Sequence, residues 1–154
     1  ECFAKEISKL ENPEKFQFIV TIREDMDEKR DLPEFDRNLK VKIIKGGDIH
    51  KILACCDLYV TAFSTVGIEA VLMNKPVIAI NINEKGKYLD YNKLGVGFTI
   101  YKEEDFLKAL KICLEDEKFK RKFKESREKF IEDFNYRLDG KALERVLETI
   151  KEFL

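Results

Sequence analysis

The sequence predicts an α/β fold, a parallel sheet with helices on both faces, and three observations predict it. Short apolar runs rich in β-branched residues alternate with stretches of helical period through the first two thirds of the chain. Those runs, at 16–22, 41–44, 58–61 and 77–80, are apolar almost without interruption, the pattern of strands buried on both faces. After Gly97 the period is helical alone, so a helical carboxy-terminal extension follows the sheet.

Taken in order, residues 2–10 read as a helix and 16–22 as the first strand of the chain. A polar loop at 23–38 leads to the strand at 41–44, and Lys45-Gly46-Gly47-Asp48 turns it into a helix at 49–56. Strand 58–61, helix 66–73 and strand 77–80 follow as a βαβ unit, and 81–92 reads as loop. Three helices close the chain. Phe106, Leu110 and Cys113 or Leu114 mark the first, Phe119, Phe123, Phe130 and Phe134 the second, and Ala142, Val146, Ile150 and Phe153 the third. The Phe stripe of the second reads as core, the usual fate of an apolar helical face.

At 154 residues and 44% hydrophobic content the chain makes one domain, 1–154, and is too short for two domains that close on a substrate. Lysine and arginine number 29 against 30 acidic residues, so no field of one sign points to nucleic acid or to an anionic membrane. Cys2, Cys55, Cys56 and Cys113 form no CxxC, and with one histidine they support neither a zinc site nor a disulfide framework. A reducing, cytoplasmic location is expected. No apolar run approaches the roughly 18 residues of a transmembrane segment. No metal or cofactor is required by any motif. The first residue is Glu1, which leads to the expectation of a fragment of a longer polypeptide.

The densest motif is Asp57-Leu-Tyr-Val-Thr-Ala-Phe-Ser64-Thr65-Val-Gly67-Ile-Glu69-Ala70, continued by Lys75-Pro76-Val-Ile. In open parallel sheets ligands bind beyond the carboxyl ends of strands, and Ser64 and Thr65 open a helix there. Free amides, the helix dipole and two hydroxyls suit a phosphate. Glu69 stands four residues after Thr65 on the same helix face, about 6 Å away, a spacing that fits a ribose diol beside a diphosphate. The competing reading is an ordinary N-cap with Glu69 as a first-turn anion. A capping box places the acid three residues after the cap, which Glu69 does not match from either position. Gly67 in the first turn costs roughly 1 kcal/mol of helix propensity, which suggests a close approach of ligand or backbone.

This pattern, Asp-Leu-x-Val-Thr-x-x-Ser-Thr-x-x-x-Glu-Ala followed by Lys-Pro-Val-Ile, resembles the donor-site signature of GT-B-type glycosyltransferases and their relatives. These include capsule-polysaccharide and CDP-glycerol glycerophosphotransferases and UDP-N-acetylglucosamine 2-epimerase. The helix before Asp57 and the Asp139-Gly140 pair before the last helix are similar too, so the resemblance spans roughly residues 40–154. It implies a Rossmann-like carboxy-terminal domain that binds a nucleotide-sugar or nucleotide-polyol diphosphate such as a UDP sugar, for polysaccharide synthesis. Ser64 and Thr65 would hold the diphosphate and Glu69 the ribose. A separate amino-terminal acceptor-binding domain would supply the catalytic base, so the domain alone would be inactive. Family members open this domain with a strand, whereas here the first element reads as helix, so the first strand is expected to be missing. Two alternatives remain at this point: a sugar-nucleotide 2-epimerase domain, and a non-catalytic α/β interaction or regulatory module.

Other constellations each have two readings. Lys45 and Gly46 could wrap a phosphate or the edge of a base, or simply form a glycine turn with Asp48 as N-cap. His50, the sole histidine, is either a contact to the nucleotide or a surface residue. Arg23 could lend charge to a diphosphate, although Glu24, Asp25 and Asp27 make it part of a mixed-charge loop. Lys85 and Lys87 around Gly86 could touch sugar or phosphate. Cys55 and Cys56 read as small packing residues before a buried strand.

Overall fold

The computed structural model describes residues 2–62, 64–82 and 89–153. The order is α1 (Cys2–Ile7), β1 (Gln17–Ile22), α2 (Glu28–Asp31), β2 (Lys40–Lys45), α3 (Ile49–Ala54), β3 (Tyr59–Thr61), α4 (Val66–Leu72), β4 (Val77–Ile80), α5 (Tyr91–Leu94), β5 (Gly97–Ile100), α6 (Phe106–Glu115), α7 (Glu117–Asn135) and α8 (Ala142–Glu152). Aspartates set several helix starts. Asp27, Asp48, Asp90 and Asp116 accept backbone N–H bonds at the openings of α2, α3, α5 and α7, each cap contributing about 1 kcal/mol.

Every strand pair is parallel, so the α/β architecture with helices on both faces is the one the sequence predicts. The strands form two sheets, however. β1 pairs with β2 in the register Phe18↔Val41, and β3, β4 and β5 make a second sheet with Val60↔Ile78 and Ile78↔Phe98. Among the described residues β1 has β2 on one edge and no strand on the other. Two elements escaped the sequence reading. α5 starts within the end of the loop predicted at 81–92, and β5 runs from Gly97 to Ile100, where only helix was expected after Gly97. β5 is short and carries a polar residue, Thr99. Its hydroxyl donates to Leu89 O (3.1 Å) and accepts from Tyr91 N (3.1 Å), which lets it be buried.

Alternation along β4 divides the core. Val77 and Ala79 face Ala70 and Val71 of α4, Leu53 of α3, Tyr91 of α5, and Phe123 and Phe130 of α7. Ile78 faces the other way, onto Ile7 of α1 and Phe106, Ala109, Leu110 and Cys113 of α6, and there Phe18 of β1 and Val41 of β2 join the same cluster. Burial pushes the Cys113 thiol up to about 12, so it is a neutral core residue. β4 is buried on both faces as predicted. β1 and β2 are not: Gln17, Thr21, Lys40, Lys42 and Lys45 are exposed, because the single turn of α2 covers little of that sheet.

The Phe stripe on α7 divides as well. Phe123 and Phe130 are buried, and Phe134 lies on the rim, stacked on Phe130 at 4.3 Å. Arg127 ties α7 to α4: its Nε donates to Val71 O at 2.8 Å and its guanidinium also reaches Leu72 O. These are last-turn carbonyls of α4, a natural target for a cation, and Val71 O also accepts from Asn74 N at 3.0 Å. The apolar stripe of α8 is not core. Leu143, Val146, Leu147, Ile150 and Phe153 are exposed, Phe153 by 84%, because no other part of the described chain packs against that face.

The entrance to α8 is fixed by Asp139. It accepts from Lys141 N (3.0 Å) and pairs with Arg145 at 2.8 and 3.1 Å, which brings its carboxyl down to about 2.

Two outcomes follow from these contacts. In urea unfolding Arg127→Ala is expected to cost roughly 1.5–3 kcal/mol, as for other hydrogen bonds to charged groups. Arg127→Lys should recover only part of this, because an ammonium cannot reach two carbonyls as a planar fork. Second, the lowered pKa of Asp139 means the unfolded chain takes up that proton first on acidification. The Asp139 contribution should be complete above pH 4 and fade as pH falls towards 2, followed by NMR as loss of exchange protection in the first turn of α8.

Candidate functional site

The carboxyl ends of β1, β2 and β3 lie along one edge. Gly46, after β2, donates its N–H to Ile22 O at 2.9 Å, and a side chain there would meet the carboxylate of Glu24, after β1. His50, in the first turn of α3 after β2, places Nε2 2.8 Å from Oε2 of Glu69, in the first turn of α4 after β3. Parallel strands joined by helical crossovers produce this clustering, because every strand ends on the same side.

Within the βαβ motif, β3 delivers Thr61 to the edge, and its Oγ1 accepts from Ser64 N at 3.2 Å. Ser64 Oγ in turn accepts from Val66 N at 3.1 Å. The amides of Gly67 and Ile68 bond to Ser64 O and Thr65 O. The first turn therefore has fewer free amides than the sequence suggested, and Ser64 is a cap for α4. Its hydroxyl proton stays available, since the oxygen is used as acceptor. Thr65 is exposed, and among the described residues its hydroxyl makes no hydrogen bond. Glu69 and Thr65 stand one turn apart, as the spacing predicted.

Gly67 has its own explanation. It is buried, and a methyl group there would collide with Tyr91 Oη and come within 3.2 Å of Tyr91 Cζ. The close approach that glycine permits is thus made by a core tyrosine of α5.

Of the other candidates, His50 sits between Glu69 and Asp48, whose Oδ1 is 3.7 Å from Nδ1. A carboxylate partner was not expected for it, because Glu69 is distant in sequence and only the fold brings it near. Gly46 and Gly47 take φ of 68° and 95°, and Asp48 accepts from His50 N at 3.0 Å, so the glycine turn with an aspartate cap is the structure of that loop. Lys45 ends β2, exposed. Arg23 pairs with Asp25 at 3.0 Å in its own loop. Among the described residues no contact joins Lys45 or Arg23 to the His50–Glu69 pair. Lys85, Gly86 and Lys87 lie outside the described residues.

Sequence reasoning passed over two polar groups on this edge. One is Thr61. The other is Asn81, at the end of β4, only 6% exposed, whose Oδ1 has no hydrogen-bond partner among the described residues. A polar residue closing an all-apolar buried strand was the available signal. Near Cys55, burial raises the Cys56 thiol, which fits a packing role.

Residues 4–152 match the family described as CDP-Glycerol:Poly(glycerophosphate) glycerophosphotransferase. The chain belongs to that family. At family level it is therefore a glycosyltransferase-like domain associated with a nucleotide-based donor. No curated protein and no solved structure matches the chain. Among the described residues no helix is long and apolar enough to cross a membrane.

The contact beneath Gly67 gives a stability test separate from ligand binding. Gly67→Ala should lose about 1–3 kcal/mol through overpacking, despite the better helix propensity of alanine. Adding Tyr91→Phe, which removes the colliding oxygen, should return a measurable part of that loss in a double-mutant cycle by chemical denaturation.

Proposed function

We propose that this domain is the donor-binding, carboxy-terminal half of a GT-B-type transferase and works against an amino-terminal acceptor-binding domain of the same polypeptide. The observation that carries the reading is the meeting of His50, Ser64, Thr65 and Glu69 on the carboxyl edge of a parallel sheet, in a chain that belongs to a glycerophosphotransferase family. Such an edge is where open α/β sheets take their ligands.

In this reading the hydroxyls of Ser64 and Thr65 donate to diphosphate oxygens, and Glu69 accepts from the ribose hydroxyls. His50 holds the Glu69 carboxylate towards the edge. Gly67 contributes by letting α4 sit close over Tyr91. Lys45, Gly46 and Arg23 border the edge from the β2 and β1 loops, where they can meet the base or the outer phosphate. For a CDP-glycerol donor, an acceptor hydroxyl oxygen bonds to the distal phosphorus as its proton passes to a base of the acceptor-binding domain, the bond from that phosphorus to the bridging oxygen breaks, and the electron pair leaves with CMP. Donors aimed at the retained phosphate stabilise that leaving group. Glu24, Asp48 and Glu69 offset the nearby cations, so directed hydrogen bonds rather than a broad positive field hold the diphosphate.

Melting the domain with and without millimolar CDP, UDP, GDP and ADP tests the assignment. A nucleotide at about 100 times its dissociation constant adds roughly 2.7 kcal/mol, or roughly 5–10 °C for a domain of this size. CDP is expected to give the largest rise, and Glu69→Ala to abolish it while leaving the unliganded melting temperature within a few degrees. Full CDP affinity in Glu69→Ala would remove the ribose role.

A further inference from the structure

The exposed apolar side chains of this protein are concentrated at one end. Tyr101 apart, every large one that stands exposed among the described residues falls within 134–153. Leu143, Val146, Leu147, Ile150 and Phe153 recur at spacings of three and four along α8, so they share one stripe, and they are 48–84% exposed. A continuous apolar patch of this kind marks an interaction surface. A helix of 11 residues is also marginal in water without something to pack on. The elbow before α8 nevertheless holds it in one orientation: Asp139 pairs with Arg145 at 2.8 Å, and the Arg145 guanidinium lies 5.4 Å from the centre of the Tyr136 ring. The stripe is thus presented and uncovered.

The charges around the stripe indicate what covers it. At 100° per residue, Glu148 and Glu152 fall on the side of α8 away from the stripe. Glu144 and Lys151, seven residues apart, border it along one flank, and Ala142 and Thr149 border it along the other. Two such helices can be set antiparallel about a two-fold axis at the level of Glu148. Leu143 then meets Phe153 of the second copy, Val146 meets Ile150, and Leu147 packs beside its own counterpart. The same axis brings Glu144 level with Lys151 of the second copy to within about 1.5 Å along the helix, and symmetry repeats the pair at the other end. A parallel copy would set this flank against Ala142 and Thr149 and leave both charges unpaired.

We propose that α8 pairs antiparallel with α8 of a second copy of this chain, forming a two-fold symmetric dimer. The flanking charges, rather than the stripe, choose that occupant: an opposite-charge pair that matches its own reversal is the complementarity of an isologous interface. Covering the stripe on both copies removes on the order of 1,000 Å² from water, at the small end of specific interfaces, so the dimer is one of micromolar affinity. It is independent of donor binding, because α8 carries none of the candidate site residues.

Sedimentation velocity of the chain from about 1 µM to about 1 mM covers the range expected of such an interface. The mass is expected to rise from one chain to two, with a dissociation constant on the order of 10–100 µM. Ile150→Glu should hold the chain monomeric throughout and leave its circular dichroism at low concentration unchanged, since the residue is half exposed and makes no core. Glu144→Lys should weaken the dimer roughly 3- to 10-fold by setting like charges together at both ends of the pair. Adding Lys151→Glu should restore it, because the exchanged charges match again. A chain that stays monomeric at every concentration overturns the proposal and gives the stripe to a different partner. A dimer that survives Ile150→Glu, or whose loss in Glu144→Lys is not restored by Lys151→Glu, also overturns it, since another surface or another orientation then joins the two copies.

Discussion

The fold depends on the burial of β4. Its four residues, Val77 to Ile80, have neighbours on both edges and helices on both faces, so each side chain commits to one of two cores. Fully burying residues of this kind contributes on the order of 1.5–3 kcal/mol each, and no other strand here is enclosed to that extent. The surrounding elements are placed by the same pleat. α4 and α7 meet Val77 and Ala79, and α1 and α6 meet Ile78. Gly97 is required because β5 approaches so closely that a Cβ there would strike the Val77 carbonyl.

From that centre the position of the candidate site follows without further assumptions. A right-handed crossover returns each strand to the same side, so loops far apart in sequence gather at one edge. His50 and Glu69 are separated by β3 and two connections, yet they are at hydrogen-bond distance. The same geometry explains why Ser64 stands at the start of α4. A helix that starts directly after a strand needs its early amides satisfied, and Ser64 Oγ does this for Val66. Capping uses the Ser64 oxygen as acceptor and leaves its hydroxyl proton free to donate.

The legible part of the sequence was the part governed by local pattern. β4 and β3 were readable because unbroken apolar runs have few other fates, and the glycine turn before Asp48 because positive φ and an aspartate cap are written in residue type. α5 and β5 were not, since four-residue elements give no period, and Thr99 is buried only by virtue of Tyr91 and Leu89. The serine, threonine and glutamate of the candidate site were picked out from spacing, and the structure places them in the first turns of α4. The pairing of His50 with Glu69 and the Tyr91 contact beneath Gly67 could not, since both are tertiary. The apolar stripe of α8 was legible as a stripe, but which surface covers it is not encoded in its own period.

Burial is uneven between the two sheets, and this bears on function. β4 and β5 are largely buried between two cores and β3 is half-buried, whereas β1 and β2 join the molecule mainly through the cluster around Phe18, Val41, Phe3 and Phe106. A groove lined by Gln17 to Thr21 of β1 and Asp57 to Thr61 beside β3 lies along the boundary between them. Arg23 and Lys45 belong to one half, Ser64, Thr65 and Glu69 to the other, and His50 bridges them from α3. The loops after β1 and β2 and the start of α4 are therefore coupled through the contact of His50 with Glu69.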